Sequence, residues 1–433
     1  MLTAAPPVTG RSVTARTTSS RTVRSTPPRP ATRSRIVPPT LGIADGPAAA
    51  VFRVAAAGGP ISRDEATRAT GSSIATVNRH VSAMIAAGLL RERPDLVAAG
   101  AVGRPRVPFE VDHESHLTVG IHIGAVVTSV ITADLRGRIL GAIEIPTPRG
   151  ASDAALATIT ASARGFAARW HRRRPLWVGV AIGGRVEPET GLVEHPRLGW
   201  SGARVGDIVG AGFGLPVSVA AHVEAMAASE LLLTPQRADN ADARGGGLYF
   251  YARETVGLAL TLDGKVHTPT AGPGSIVHLP TASDAPCDCG ATGCLEAAVS
   301  DRGVLLAARR AGVLPADGPL PPVATVYRAA RSGSAAAQQI LTERAQVLGR
   351  AVAMVRDLFN PDRVILGGQA FTDYPEAAPQ VARALSEASR VAGADVRITG
   401  FGNRVQEHAA GVVSLSSLYS NPLAAMRKAT VRV

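Results

Sequence analysis

The chain has 433 residues, enough for two or three domains, with 45% hydrophobic and only 18% charged residues. No apolar run reaches the ~20 residues of a membrane helix, and no apolar signal-like segment opens the chain. A membrane span and secretion are therefore excluded, and a cytoplasmic protein with reduced thiols is expected. The net charge of +12 is unevenly placed: residues 1–113 carry 15 Arg against 7 Asp or Glu, while the remainder is nearly balanced. A basic end on a near-neutral body suits a polyanion such as nucleic acid, although solubility or an Arg-favouring genome would give the same surplus.

Residues 1–46 are Ser-, Thr-, Pro- and Arg-rich with few large apolar side chains, and a disordered basic arm is expected. The arginines could equally belong to a passive tail or a misassigned start. Residues 47–112 read as a winged helix-turn-helix. An apolar helix spans Ala48 to Ala57, and Ser62-x-x-Glu65 is a capping box for a second helix ended by Gly71. Ser72 is expected to cap a third helix running to Ala87, whose Val77, Val81 and Met84 face inward. Its polar face would enter the major groove. Ser72, Ser73, Thr76, Asn78 and Arg79 are the candidate base-reading residues. A strand from Leu89 and the segment Gly103-Arg104-Pro105-Arg106 make a basic wing, with Arg104 and Arg106 as further DNA candidates. A small helical bundle for protein contacts is the competing reading of this segment.

From about residue 115 the texture becomes strand–turn–strand. Strands at 117–123, 126–133 and 138–145 precede a helix near 154–170. The theme returns with strands at 247–252, 256–262 and 265–267, then a long helix over 335–358 and a strand at 363–366 leading to Gly367-Gly368. Two meanders, each followed by helices, predict an α/β protein. Its body, residues 113–433, would be a two-lobed actin-like, ribonuclease-H-like ATPase-type fold with a ligand cleft between the lobes.

All three cysteines lie within eight positions, Cys287-x-Cys289-Gly-x-x-Gly-Cys294, nine residues after His278. One imidazole and three thiolates suit tetrahedral zinc with no open position, hence a structural Zn2+. An odd number of cysteines without a signal argues against disulfides, and three unrelated buried thiols are the remaining alternative.

Five segments together resemble the ROK family (repressors, open reading frames and sugar kinases), in its subgroup of repressors with an N-terminal winged helix. They are Pro60-Ile61-Ser62-Arg63 through Leu90 with Gly103-Arg104-Pro105; Val119–Gly124 with Ala133–Gly137; Val178–Val186 with Pro188–Gly191; the His278–Cys287–Cys289–Cys294 signature running into Glu296; and Asn360-Pro361 with Ile365–Gly368. The resemblance implies a DNA-binding transcriptional regulator, with a repressor expected. It would act as a homodimer or tetramer on a double-stranded operator, with a sugar or other small molecule as possible effector. It also implies that His278 and Glu296 contact that ligand.

The departures argue against catalysis. Family kinases carry Asp in the first phosphate loop, where this chain has His122; their Asn-Asp pair, whose Asp is the general base, is here Ala221-His222. Their Gly-rich second phosphate turn is Arg253-Glu254-Thr255-Val256-Gly257, and their sugar-binding Glu is Ser275. Losing the base alone costs roughly 10²–10⁴-fold, and phosphoryl transfer rests on positioning that is also missing. No enzymatic activity is expected. The alternative is an ATP-dependent sugar kinase with a DNA-binding appendage, and a third reading is a scaffold that has lost its ligand.

Overall fold

The computed structural model describes residues 35–97, 107–234, 245–269, 272, 274–391 and 395–430. The first elements are α1 (Pro47–Gly58), α2 (Arg63–Thr70), α3 (Ile74–Ala86), and the strands β1 (Leu90–Glu92) and β2 (Phe109–Val111), which pair antiparallel. The capping box forms: Glu65 N donates to Ser62 Oγ, and Ser62 N donates to Glu65 Oε2 at 2.7 Å. Gly71 ends α2 at φ +64, a left-handed geometry that disfavours a Cβ. The cap of α3 is Ser73, not Ser72: Thr76 N donates to Ser73 Oγ at 3.2 Å. The left-handed Gly71 shifts the first helical residue by one, and Ser72 N is instead bound to Thr70 Oγ1. Arg104 and Arg106 lie outside the described residues.

The first lobe contains β3 (His116–Ile123), β4 (Val127–Ala133), β5 (Ile139–Pro146), α4 (Ser152–Ala167) and β6 (Arg174–Ile182). A small sheet of β7 (Arg185–Glu187), β8 (Leu192–His195) and β9 (Trp200–Arg204) follows, then α5 (Val205–Phe213), β10 (Val217–Ala221) and α6 (His222–Leu232). The lobe's main sheet has the order β10-β6-β3-β4-β5. Buried on both faces, β3 reads as a nearly continuous run rather than an alternation.

The second lobe holds β11 (Gly246–Ala252), β12 (Val256–Leu262), β13 (Lys265–Val266), α7 (Leu295–Val299), α8 (Asp301–Arg310), α9 (Ala324–Arg331) and α10 (Ala335–Phe359). It is completed by β14 (Arg363–Gly367), α11 (Gln369–Thr372), α12 (Ala378–Ala388) and β15 (Asp395–Ile398), in the sheet order β13-β12-β11-β14-β15. Ser334 caps α10, and Asn360 stops it at φ +43. The chain closes with α13 (Val405–Ser420), which packs on β3, β6 and α6, and with α14 (Pro422–Thr430). No helix among the described residues is long and apolar enough to cross a membrane.

Two features depart from the sequence reading. The N-terminal helices do not form a core of their own. Phe52, Val77, Val81 and Met84 share one apolar cluster with Trp177, Leu415, Leu418, Tyr419 and Met426, so the expected boundary at 112/113 runs through a common core. Phe52 and Tyr419 meet edge to face at 5.6 Å. Burying such side chains contributes roughly 1.5–3 kcal/mol each. Second, residues 35–46 are not a disordered arm. Residues 35–43 run extended along both sheets, because the edge strands β10 and β13 offer unpaired backbone groups and Leu41 finds a buried site. The expectation for residues 1–34 falls outside the described residues.

Candidate functional site

Between the lobes lies a cavity of about 590 Å³. The first lobe supplies His122 at the end of β3, the Gly183-Gly184 turn after β6, His195, and His222 at the start of α6; the second supplies Tyr251, the Arg253–Gly257 turn, Ser275, His278 and Glu296. His122 and His222 stack with ring centroids 5.7 Å apart, and His222 meets Tyr251 edge-on at 5.5 Å. Burial, then the neighbouring His222 and Arg253, hold His122 well below its ordinary range. Burial, aided by His195, pushes His222 down to about 4. Both rings are neutral at pH 7. His122 Nε2 and His222 Nδ1 are buried without a hydrogen-bond partner, so the floor of the cleft keeps unused polar capacity.

The sign of the His222 effect gives a measurable pH dependence. Its folded pKa lies below the unfolded value of 6.5, so its contribution is complete above pH 6.5. It falls as pH drops toward 4, where the unfolded chain binds a proton and the folded one does not. The stability difference between the wild-type chain and His222→Gln is expected to shrink by up to about 3 kcal/mol across that window. Glu224, pushed up to about 7 by burial, is present in both proteins and cancels. Urea melts at pH 4 and pH 7 check this, and a constant difference would refute it.

The glycines of the turns serve packing. A Cβ on Gly257 would stand 2.8 Å from Val223 Cγ2, and one on Gly367 would stand 1.9 Å from the Tyr249 hydroxyl. Their smallness is therefore required by protein neighbours. The Gly367-Gly368 turn is packed against Tyr249, Tyr251 and Ala252. Arg253 Nη1 donates to Gln406 Oε1 at 2.6 Å, and Gln406 Nε2 to the Tyr251 hydroxyl at 2.8 Å. Arg197 of the first lobe reaches across the cleft, donating to Glu254 O at 2.6 Å and pairing with Glu296 at 3.5 Å. Glu296 also accepts from Thr255 Oγ1 and from Val256 N at 3.3 Å.

One wall of the cleft is the cysteine segment. Gly290 and Gly293 adopt φ +89 and +76, and Cys287 N donates to Ala291 O at 2.8 Å, closing a tight knuckle. The ligating atoms of His278, Cys287, Cys289 and Cys294 all lie within 4.8 Å of one another. His278 Nδ1 to Cys287 Sγ and Cys289 Sγ to Cys294 Sγ are each 3.7 Å, and the thiols are free. A tetrahedron with metal–sulfur bonds of ~2.3 Å has an edge of ~3.8 Å, so the two 3.7 Å pairs match that edge and the four donors together could hold a single metal ion. Cys294 stands at the N-cap position of α7, without a side-chain cap bond, and α7 carries Glu296 into the cleft.

Away from the cleft, α3 presents Ser73, Asn78 and Arg79 to solvent, with Ser72 and Thr76 half-buried. Ser73 and Thr76 hydroxyls bond each other at 3.0 Å, so both are partly engaged in the cap. Arg79 makes no ion pair among the described residues. Ile74 is 44% exposed at the head of α3 and was missed by sequence reasoning. Its spacing from Val77 and Val81 suggests an inward residue, but the first helical turn projects past the core.

The family model described as ROK family matches residues 118–416. The chain is 52% identical over 400 residues to Transcriptional regulator Rv0485 of Mycobacterium tuberculosis (strain ATCC 25618 / H37Rv), covering 91% of this chain and 90% of that protein. Its fold matches the crystal structure of a ROK family transcriptional regulator described as a homolog of E. coli MLC protein: the TM-score is 0.72 at 22% identity, over 88% of this chain and 97% of the other. It also matches a ROK family glucokinase from Streptomyces griseus in complex with glucose and AMPPNP, with a TM-score of 0.58 at 23% identity over 69% of this chain and 99% of the other. The family match spans well over half the chain and the mycobacterial relative runs nearly its full length, so the chain belongs to the ROK family.

Proposed function

We propose that this protein is a DNA-binding transcriptional regulator, a repressor, that reads an operator with α3 and senses a small molecule in the interlobe cleft. One observation carries the reading: an exposed polar helix face, on which Arg79 makes no ion pair among the described residues, is joined to an interlobe cleft whose floor holds the stacked rings of His122 and His222. The name of the relative at 52% identity supports it. The protein would bind palindromic half-sites as a homodimer or tetramer. His278 and Glu296 would contact the effector, and a structural zinc ion would be held by His278, Cys287, Cys289 and Cys294.

Arg79 would read base edges, and Arg104 in the wing would contact backbone or minor groove. A base-reading Arg is worth roughly 1–3 kcal/mol of discrimination, whereas a phosphate contact sets affinity and salt slope. Arg79→Ala is therefore expected to flatten the preference for operator over scrambled duplex, and Arg104→Ala to weaken both evenly. Titrations of both duplexes across a salt series check this; an intact preference in Arg79→Ala would show that another face reads the DNA.

The cleft would not transfer phosphate. Neither the unaltered chain nor His222→Asp is expected to turn over ATP with any sugar of a hexose panel, because His122 and the Arg253–Gly257 turn leave the nucleotide unplaced. Sugar-dependent turnover above a mock preparation would favour the kinase reading instead.

A further inference from the structure

Residues 35–43 are bonded to both lobes. In the first lobe, Val217 N donates to Arg35 O at 2.9 Å, Val37 N to Val217 O at 2.8 Å, and Ser218 Oγ to Val37 O at 2.7 Å. In the second, Val266 N donates to Leu41 O and Ile43 N to Gly264 O, both at 2.8 Å. Side chains reinforce the backbone: Ile36 sits on Gly206, where a Cβ would come within 2.8 Å of its Cδ1, and Leu41 is buried with Tyr249 and Val266. Between the two anchors lie only Pro38, Pro39 and Thr40. Proline fixes φ, so this spacer is stiff and extended, with little slack. After Ile43 the chain reaches Pro47 and α1 within four residues, and Arg53 of α1 donates to Ala44 O at 2.6 Å. α1 packs directly on α3.

We propose that residues 35–43 form a strap that couples lobe separation to the DNA-binding helices; this rests on the reading of the chain as a DNA-binding regulator. A molecule held in the cleft touches both lobes and changes its stability through their relative position. The strap is fixed to one edge of each lobe. A relative displacement must therefore strain one anchor or the Ala44–Gly46 link, and through the Arg53–Ala44 bond that strain reaches α1 and the α3 packed on it. A competing route runs through α13, whose Gln406 lines the cleft and whose Tyr419 touches Phe52 of α1. Coupling of this kind is a free energy shared by the two sites and acts in both directions.

The experiment first selects an operator from random duplexes with the full chain. Operator affinity is then measured for the wild type, for a cleft wedge Ala297→Trp, for a slackened strap Pro38→Gly/Pro39→Gly, and for the combination. The wedge is expected to change affinity about five-fold or more with the intact strap and less than about two-fold with the slackened one. In the unaltered chain, operator binding is expected to change hydrogen-exchange protection of the Val37, Val217, Ile43 and Val266 amides. This second measurement does not depend on how the variants fold. A wedge effect that survives the slackened strap assigns the coupling to α13 and overturns the proposal, as does unchanged protection of the four amides. An operator whose affinity ignores the wedge removes the strap proposal alone. Failure to select any duplex removes the regulator reading itself, and the strap with it.

Discussion

Replacing Glu110 by Ala is expected to lower the stability of the whole chain by about 1–3 kcal/mol, because it removes hydrogen bonds to a charged group while the arginines left behind are partly exposed to solvent. Glu110 lies on β2 and is only 2% exposed. Its carboxylate accepts from Arg91 Nε at 2.8 Å, Arg93 Nη1 at 3.0 Å and Arg136 Nη2 at 3.0 Å. Burial alone would raise its pKa, but the bonds from Arg91 and Arg93 outweigh this and hold it below the usual carboxylate range. Removal affects the three arginines unequally. Arg91 keeps Glu114 and Arg93 keeps Asp95, whereas Arg136, in the β4–β5 turn of the body, loses its only ion pair among the described residues. Glu110 is thus one ionic link between wing and body. Urea melts should show a lower midpoint with an unchanged slope. Glu110→Gln, which preserves shape, should recover part of the loss. A change below about 1 kcal/mol in Glu110→Ala would mean that solvent already screens the cluster.

The proposed zinc site carries the second large expected effect. Metal analysis of protein prepared without chelator is expected to find about one zinc per chain, and Cys289→Ser should lose it. Structural zinc contributes apparent energies of roughly 10–16 kcal/mol in small peptides. Here the effect should be local, because the knuckle already has backbone bonds: Thr281 N to Gly293 O at 2.7 Å and Leu295 N to Leu279 O at 2.9 Å. Proteolysis and hydrogen exchange should therefore rise between His278 and Glu296 while the first lobe stays protected. Since Cys294 directly precedes α7, Glu296 should shift in the cleft as well. A preparation free of zinc, or a Cys289→Ser variant that retains a full equivalent, would contradict the four-ligand reading.

What the sequence determined by itself was local in character. The Ser62–Glu65 capping box, the inward Val77, Val81 and Met84, the paired meanders and the four metal donors at 278–294 all depend on spacing within a few residues. The missing Asp at 122 and 222 is likewise a matter of residue identity, visible without coordinates. The α3 cap falls at Ser73, one position beyond the expected Ser72, next to the left-handed Gly71. What only the tertiary structure decided joins residues far apart in the chain. The strap pairs 35–43 with strands near 217 and 265, Phe52 meets Tyr419, Glu110 meets Arg136, and His122 stacks on His222. The arm's polar composition pointed to disorder because its few apolar residues cannot order it alone. For residues 35–43, two sheet edges that need partners supply the missing free energy, and no local pattern announces where such edges will lie.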